Sequence, residues 1–217
     1  MKLYAHPFSS YCQKVLTARY ENATPFELRM LAPGDADAAT EHETLWPLKR
    51  IPVLVDEGRT VVEASIIVEY LDLYHPGSVR LVPEDRRAAL DVRMMDRFFD
   101  NYVMTPMQKV VFDSIRAEDC RDRQGVDEAR RMLDTAYRWL DSALAGREWA
   151  AGGVFSLADC AAAPSLLYAD WVHPIDNAFS NVHDYRRRLL ARASFARAVD
   201  EARPYRPMFP LGAPDRD

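Results

Sequence analysis

The spacing of apolar and polar positions changes character once along this chain, close to residue 77. Lys2 to Ala5 is a short apolar run closed by His6-Pro7, and Tyr11, Val15 and Ala18 then recur at helical spacing. That pattern predicts a strand, a turn and a helix. Pro25 to Met30 predicts a second strand, and the polar, alanine-rich stretch from Asp35 to Leu48 an irregular helix. Ile51 to Val55 and Thr60 to Val62 flank Glu57-Gly58, which predicts a hairpin. Ala64, Ile67, Val68 and Leu71 then mark one helical stripe, ended by His75-Pro76-Gly77. The order is βαβαββα.

Beyond Pro83 no strand pattern survives. Leu90, Met94, Phe98 and Tyr102 repeat every fourth residue, and Val126, Ala129, Leu133, Ala136, Leu140 and Leu144 form a second long stripe. Pro106 removes a backbone donor and is expected to kink or split the first of these helices. Phe155-Ser156-Leu157-Ala158-Asp159 has the S-x-x-D form of a capping box at a helix start. The tail from Arg203 to Asp217 is expected to run extended over the surface. The division predicted is an α/β domain over 1–77, a linker over 78–84 and an all-helical domain over 85–217.

Composition narrows the functions open to such a chain. Its 217 residues are 48% hydrophobic, enough for substantial cores, and the net charge of −5 supplies no basic field. Nucleic acid and anionic membranes are therefore disfavoured as partners. The start MKLYAHPF meets a proline before an apolar segment develops, and no window approaches the length of a membrane span. A cytoplasmic protein is expected. Cys12, Cys120 and Cys160 show no metal-ligand spacing, so reduced thiols and no metal are expected.

Three short segments carry candidate chemistry. Ser9-Ser10-Tyr11-Cys12 lies where the first strand turns into the first helix. A thiolate there gains from the helix dipole and from a serine hydroxyl, yet an N-cap is the commoner work of such a serine. Cys12 reads either as a reactive thiol or as a small buried apolar residue. In Arg50-Ile51-Pro52-Val53 the proline opens a strand, as a cis or an ordinary trans residue. A cis bond would expose the backbone of Ile51 to an extended peptide. Glu63-Ala64-Ser65 opens the third helix, where amides can hold a carboxylate and Glu63 can meet an ammonium group. A plain acidic helix start explains the same residues.

Taken in order, these segments resemble the cytosolic glutathione transferases, specifically the serine-type, theta- and zeta-like bacterial members. Ser9 to Lys14-Val15 resembles S-x-x-x-x-[KR]-V. Trp46 to Leu54 resembles N-P-x-x-[KR]-V-P-x-L, with Trp46 in place of Asn. Glu63 to Leu71 resembles [EQ]-S-x-A-I-x-x-Y-L, with Ala64 in place of Ser. The resemblance implies a thioredoxin-like first domain, a cis Ile51-Pro52 bond, and Ser9 as the residue that activates the glutathione thiol.

It further implies that glutathione contacts Ser9, Ser10, Arg50, Ile51, Pro52, Glu63, Ala64 and Ser65. Its glycine would lie near Arg50, its cysteinyl backbone along Ile51, and its γ-glutamyl end at Glu63 to Ser65. Ala64 removes a hydroxyl that Ser65 could supply. The activity implied is glutathione transfer to a small, apolar electrophile, in a homodimer with a detoxifying role. A glutathione-dependent isomerase or dehalogenase and a non-catalytic binding protein are the alternatives. Phe98, Tyr102, Met104 and Met107 read as pocket lining or as core.

Overall fold

The computed structural model describes residues 1–217. Four short strands, β1 (Lys2–Ala5), β2 (Glu27–Met30), β3 (Val53–Asp56) and β4 (Arg59–Val62), form one sheet in the order β2-β1-β3-β4. β1 runs parallel to β2 and antiparallel to β3, and β3 pairs antiparallel with β4. The parallel pair needs a crossover, which α1 (Ser10–Glu21) supplies; the antiparallel pair needs only a tight turn. Glu57 and Gly58 make that turn with φ of 47° and 81°, the left-handed pair that suits the twist of a two-residue hairpin. α2 (Ala36–Leu45) starts where the Asp35 side chain accepts from the Ala38 amide at 2.9 Å. α3 (Ala64–Tyr74) follows β4 and buries Ile67, Val68 and Leu71 against the sheet.

The remainder is helical: α4 (Arg86–Phe98), α5 (Thr105–Ser114), α6 (Arg123–Leu144), α7 (Leu157–Val172), α8 (Ser180–Ala191) and α9 (Ala193–Ala202). The helix does not break at Pro106: a π-helical stretch, Phe99–Met104, carries α4 into α5 with right-handed backbone throughout, and this widened turn lies just before the residue whose N–H is missing. No helix is long and apolar enough to cross a membrane.

α7 is the spine of the molecule. Every residue from Leu157 to Asp170 is buried, and the alanines at 158, 161, 162, 163 and 169 let α1 and α4 approach it closely. The two halves consequently share one apolar cluster of 48 buried residues, running from Leu3 to Phe209. The start of α7 is built around the Asp159 carboxylate, which accepts from the Ser156 amide (2.8 Å), the Ala150 amide (2.9 Å), the Ser156 hydroxyl (3.0 Å) and Tyr185 Oη (2.6 Å). At the far end of α1, Glu21 accepts from Arg192 and from the Ser194 hydroxyl.

The tail departs from the expected extended course. Arg203–Met208 forms a 3-10 turn, and Phe209 inserts beside Phe8, Tyr168 and Trp171. Asp217 pairs with Arg203 and Arg206, and Arg216 with Asp170. Reading the tail's proline and arginine content as surface coil overlooked this apolar anchor and its matched charges.

Replacing Asp159 by Ala would strand two amides and the Tyr185 hydroxyl inside the core. Unfolding in urea is expected to show a loss of about 2–4 kcal/mol.

Candidate active site

The site begins where β1 hands the chain to α1. Ser9 has extended backbone angles (φ −80°, ψ 126°) and its carbonyl accepts from the Gln13 amide at 2.9 Å, as an N-cap residue should. Its side chain, however, makes no capping hydrogen bond. Ser9 lines a cavity of about 520 Å³ between the sheet domain and the helices, with its hydroxyl beside the Cys12 thiol. Ser10 is buried and is not part of that wall. Cys12 is fully buried as well, and burial pushes its thiol up to about 11 against the opposing pull of the Ser9 hydroxyl and a His6 backbone contact.

The second segment is set by a closed loop after α2. His42 Nε2 lies 3.0 Å from the Arg50 carbonyl, the Lys49 amide donates to the Trp46 carbonyl at 2.9 Å, and Lys49 takes a left-handed φ of 55°. Trp46 therefore closes a turn despite standing where the resemblance has Asn. The Ile51-Pro52 bond is cis, and neither the amide nor the carbonyl of Ile51 has a partner within the chain. Ile51 and Pro52 line the same cavity. Arg50 lines it too, with its head exposed.

At the third segment, Glu63 caps α3 backbone-first. Its carbonyl accepts from Ile67 at 2.8 Å, its φ is 70°, and its side chain is exposed and makes no cap bond. A left-handed glutamate costs energy, and such residues concentrate at ligand sites. Ala64 and Ser65 line the wall, and the first-turn amides of α3 have no carbonyl ahead of them to bond. Ser65 does not turn its hydroxyl into the cavity. Its Oγ accepts from Lys14 Nζ at 2.8 Å and donates to Asp96 at 2.9 Å, with Arg97 also in contact.

Those partners form a cluster that the sequence reading did not single out. Lys14 Nζ lies 2.6 Å from Asp96 and 2.8 Å from Asp100, and Arg97 bridges to Asp96 at 2.8 Å. Lys14 and Asp96 are each only 1% exposed. Burial pushes the Asp100 carboxyl up, opposed by Lys14, and leaves its Oδ1 without a hydrogen-bond partner. Tyr11, beside Asp100 and Glu63, is pushed up to about 12 by burial and by those charges, so its phenol stays protonated. The usable signal was the i, i+4 pair of acids at 96 and 100, placed among the buried apolar residues Val92, Met95 and Phe99.

The helical wall of the cavity also differs from expectation. Met104 and Met107 are core residues, while Phe98 and Tyr102 line a separate groove of about 660 Å³ between α4 and α6. Met94, Phe98 and Tyr102 line that groove and Leu90 a hollow beside Leu73 of α3, so none of the four lines the cavity. The adjacent stripe does: Arg97 and Asn101, then Gln108 and Phe112 beyond the π-helical stretch, complete the site. Only 5 of the 15 lining residues are hydrophobic. The wall is thus more polar than an apolar electrophile would call for. No group of three or more His, Cys, Asp or Glu side chains is arranged to hold a metal ion.

Comparison with known proteins places this geometry. The profile of the glutathione S-transferase N-terminal domain matches residues 3–78, and that of the glutathione S-transferase C-terminal domain matches residues 123–188. A glutathione S-transferase from Methylobacterium radiotolerans, crystallised with glutathione sulfonate, is 30% identical, with 91% of this chain and 93% of that one covered and a TM-score of 0.78. The chain belongs to the glutathione S-transferase family. A second glutathione S-transferase, from Methylobacillus flagellatus with glutathione bound, is 26% identical, with 91% and 98% covered and a TM-score of 0.81. Among curated proteins, the maleylacetoacetate isomerase of Mus musculus is 25% identical over 199 residues, 89% of each chain. Family membership accounts for the thioredoxin-like first domain and the helical second one.

Two measurements follow from this geometry. Lys14→Met would leave Asp96 and Asp100 buried against each other with only Arg97 and the Ser65 hydroxyl in support, and chemical denaturation is expected to show a loss of about 3–5 kcal/mol. Native protein at neutral pH is expected to expose one thiol to a disulfide reagent, that of Cys120, and three once unfolded, because Cys12 and Cys160 are buried.

Proposed function

We propose that this member of the family is a glutathione transferase in which Ser9 stabilises the thiolate of bound glutathione for attack on a small electrophile. The observation that carries the reading is Ser9, whose side chain is free of helix capping and which lines the same cavity as Ile51 with its unpaired backbone. Glutathione would lie along Ile51 as an added strand, with its γ-glutamyl group against Glu63 and the α3 amides and its glycine towards Arg50. Ala64 offers no hydroxyl and that of Ser65 is engaged by Lys14 and Asp96, so backbone amides carry the γ-glutamyl carboxylate.

The energetics suit that role. An ordinary thiol has a pKa near 8.5, and lowering it by about two units requires roughly 2.7 kcal/mol of differential stabilisation. A hydroxyl donating to the thiolate contributes about 1.5–3 kcal/mol, and the N-terminus of α1 adds a favourable dipole. Cys12 is no rival nucleophile, since burial keeps its thiol protonated.

The polar helical wall selects among second substrates. Asn101 and Gln108 bring amide groups and Phe112 an aromatic face, which suits a planar electrophile carrying hydrogen-bonding groups. An isomerase of the same family, which the mouse relative's name brings into view, would regenerate glutathione, whereas a transferase consumes it. We include a two-fold homodimer in the proposal, the apolar groove of Met94, Tyr102, Met132 and Trp139 being the surface open to a partner.

Ser9→Ala is expected to lower conjugation of a model aryl halide by about 10–100-fold and to raise the pH midpoint of the rate by about one to two units. Thermal stability should hold, since a true side-chain cap would cost about 1 kcal/mol and none is present. A rate and midpoint unchanged in that variant would remove the serine from the mechanism.

A further inference from the structure

From the His6 carbonyl to the Ser9 carbonyl, the loop that delivers Ser9 has every polar backbone atom hydrogen-bonded. The Phe8 amide donates to His6 Nδ1 at 3.2 Å and the Ser9 amide to the His6 carbonyl at 3.0 Å. Gln13 Nε2 donates to the Pro7 carbonyl at 3.0 Å. The Phe8 carbonyl accepts from Tyr168 Oη at 2.9 Å, across 160 residues of sequence. The Phe8-Ser9 peptide is a rigid plane, and both of its polar atoms are therefore held: the amide by the loop itself, the carbonyl by α7.

Tyr168 cannot turn elsewhere. Gln13 Nε2 donates to Tyr168 Oη at 3.0 Å, so the phenol's single proton is left for Phe8. Both side chains are buried, Gln13 wholly and Tyr168 to all but 3%. Phe8 and Phe209 pack on the ring of Tyr168 and block other orientations. On the far side of Ser9, the Gln13 amide holds the Ser9 carbonyl at 2.9 Å. The direction of the Ser9 Cα–Cβ bond is thus set by contacts on both flanking peptides, and the one that comes from the helical half is Tyr168.

We propose that Tyr168, oriented by Gln13, is a positioning residue for Ser9, holding the Phe8-Ser9 peptide so that the serine hydroxyl points at the sulfur of bound glutathione. The inference rests on Ser9 being the group that meets the sulfur. A hydroxyl hydrogen bond weakens steeply when its angle degrades, so releasing this peptide reduces thiolate stabilisation without touching the surfaces that bind the rest of the tripeptide. Tyr168 lies outside the cavity wall and meets no reactant.

The groups around the network leave a clear window in which to read the thiol. Burial lowers His6 and raises Cys12 and Tyr168, moving each of the three away from neutral pH. Tyr168→Phe removes one hydroxyl and little volume. It is expected to raise the pH midpoint of aryl halide conjugation by about 0.5–1 unit and to lower turnover at neutral pH about tenfold, with the glutathione dissociation constant unchanged. Gln13→Met should act in the same direction and carries the test if the tyrosine variant does not fold.

A double-mutant cycle separates this role from general support of the fold. In a Ser9→Ala background, adding Tyr168→Phe is expected to shift the midpoint no further, because the residue works through the serine. An unmoved midpoint in Tyr168→Phe, or an equal shift with Ser9 absent, would overturn the positioning role. A Ser9→Ala midpoint equal to that of the unaltered protein would instead defeat the serine reading itself, and this inference with it.

Discussion

Lys14 is an ammonium group almost sealed from water, held 2.6 Å from Asp96 and 2.8 Å from Asp100. Desolvating that charge is tolerable only because two carboxylates and the Ser65 hydroxyl replace its water. The cluster ties three helices together at one point: α1 through Lys14, α3 through Ser65, and the α4 end with its π-helical extension through Asp96 and Asp100. Those same elements carry Ser9, Glu63 and Asn101 into the cavity. A shift of one helix against another would expose or unpair a buried charge, so the cavity walls keep their relative positions.

The cavity divides its work between backbone and side chain. Its sheet-domain half offers main-chain groups: the unpaired amide and carbonyl of Ile51 and the first-turn amides of α3. Main-chain recognition tolerates side-chain change, which is why Ala64 in place of Ser and Trp46 in place of Asn still leave a coherent site. Its helical half offers side chains, and there the lining of Arg97, Asn101, Gln108 and Phe112 gives the chain its own character.

Much of the fold was legible from period and punctuation. β1 spans the residues its apolar run suggested, the Glu57-Gly58 turn closes the hairpin, and the helix that holds Pro106 is distorted by a π-helical stretch just before it. The strands that flank turns came out displaced by a residue or two, since pairing rather than hydrophobicity ends a strand. What escaped was whatever depended on which helical face met which neighbour. The repeat of Leu90, Met94, Phe98 and Tyr102 identified a helix correctly but left open what its apolar residues meet, because an apolar stripe says only that a surface is apolar. The tail was misjudged for a related reason: Phe209 is one residue, and its anchoring among Phe8, Tyr168 and Trp171 exists only after residues 200 apart have met.

The sequence by itself determined the order of elements, the family and the three segments that converge on the cavity, because these depend on local spacing and on motifs within a few residues. Tertiary structure alone decided that the Ser9 hydroxyl is spared from capping, that Ser65 serves a buried charge cluster, and that Tyr168 reaches Phe8. Each of those facts concerns where a hydrogen bond is spent. A donor's choice of acceptor is settled by what packing brings within about 3 Å, and no local pattern encodes that.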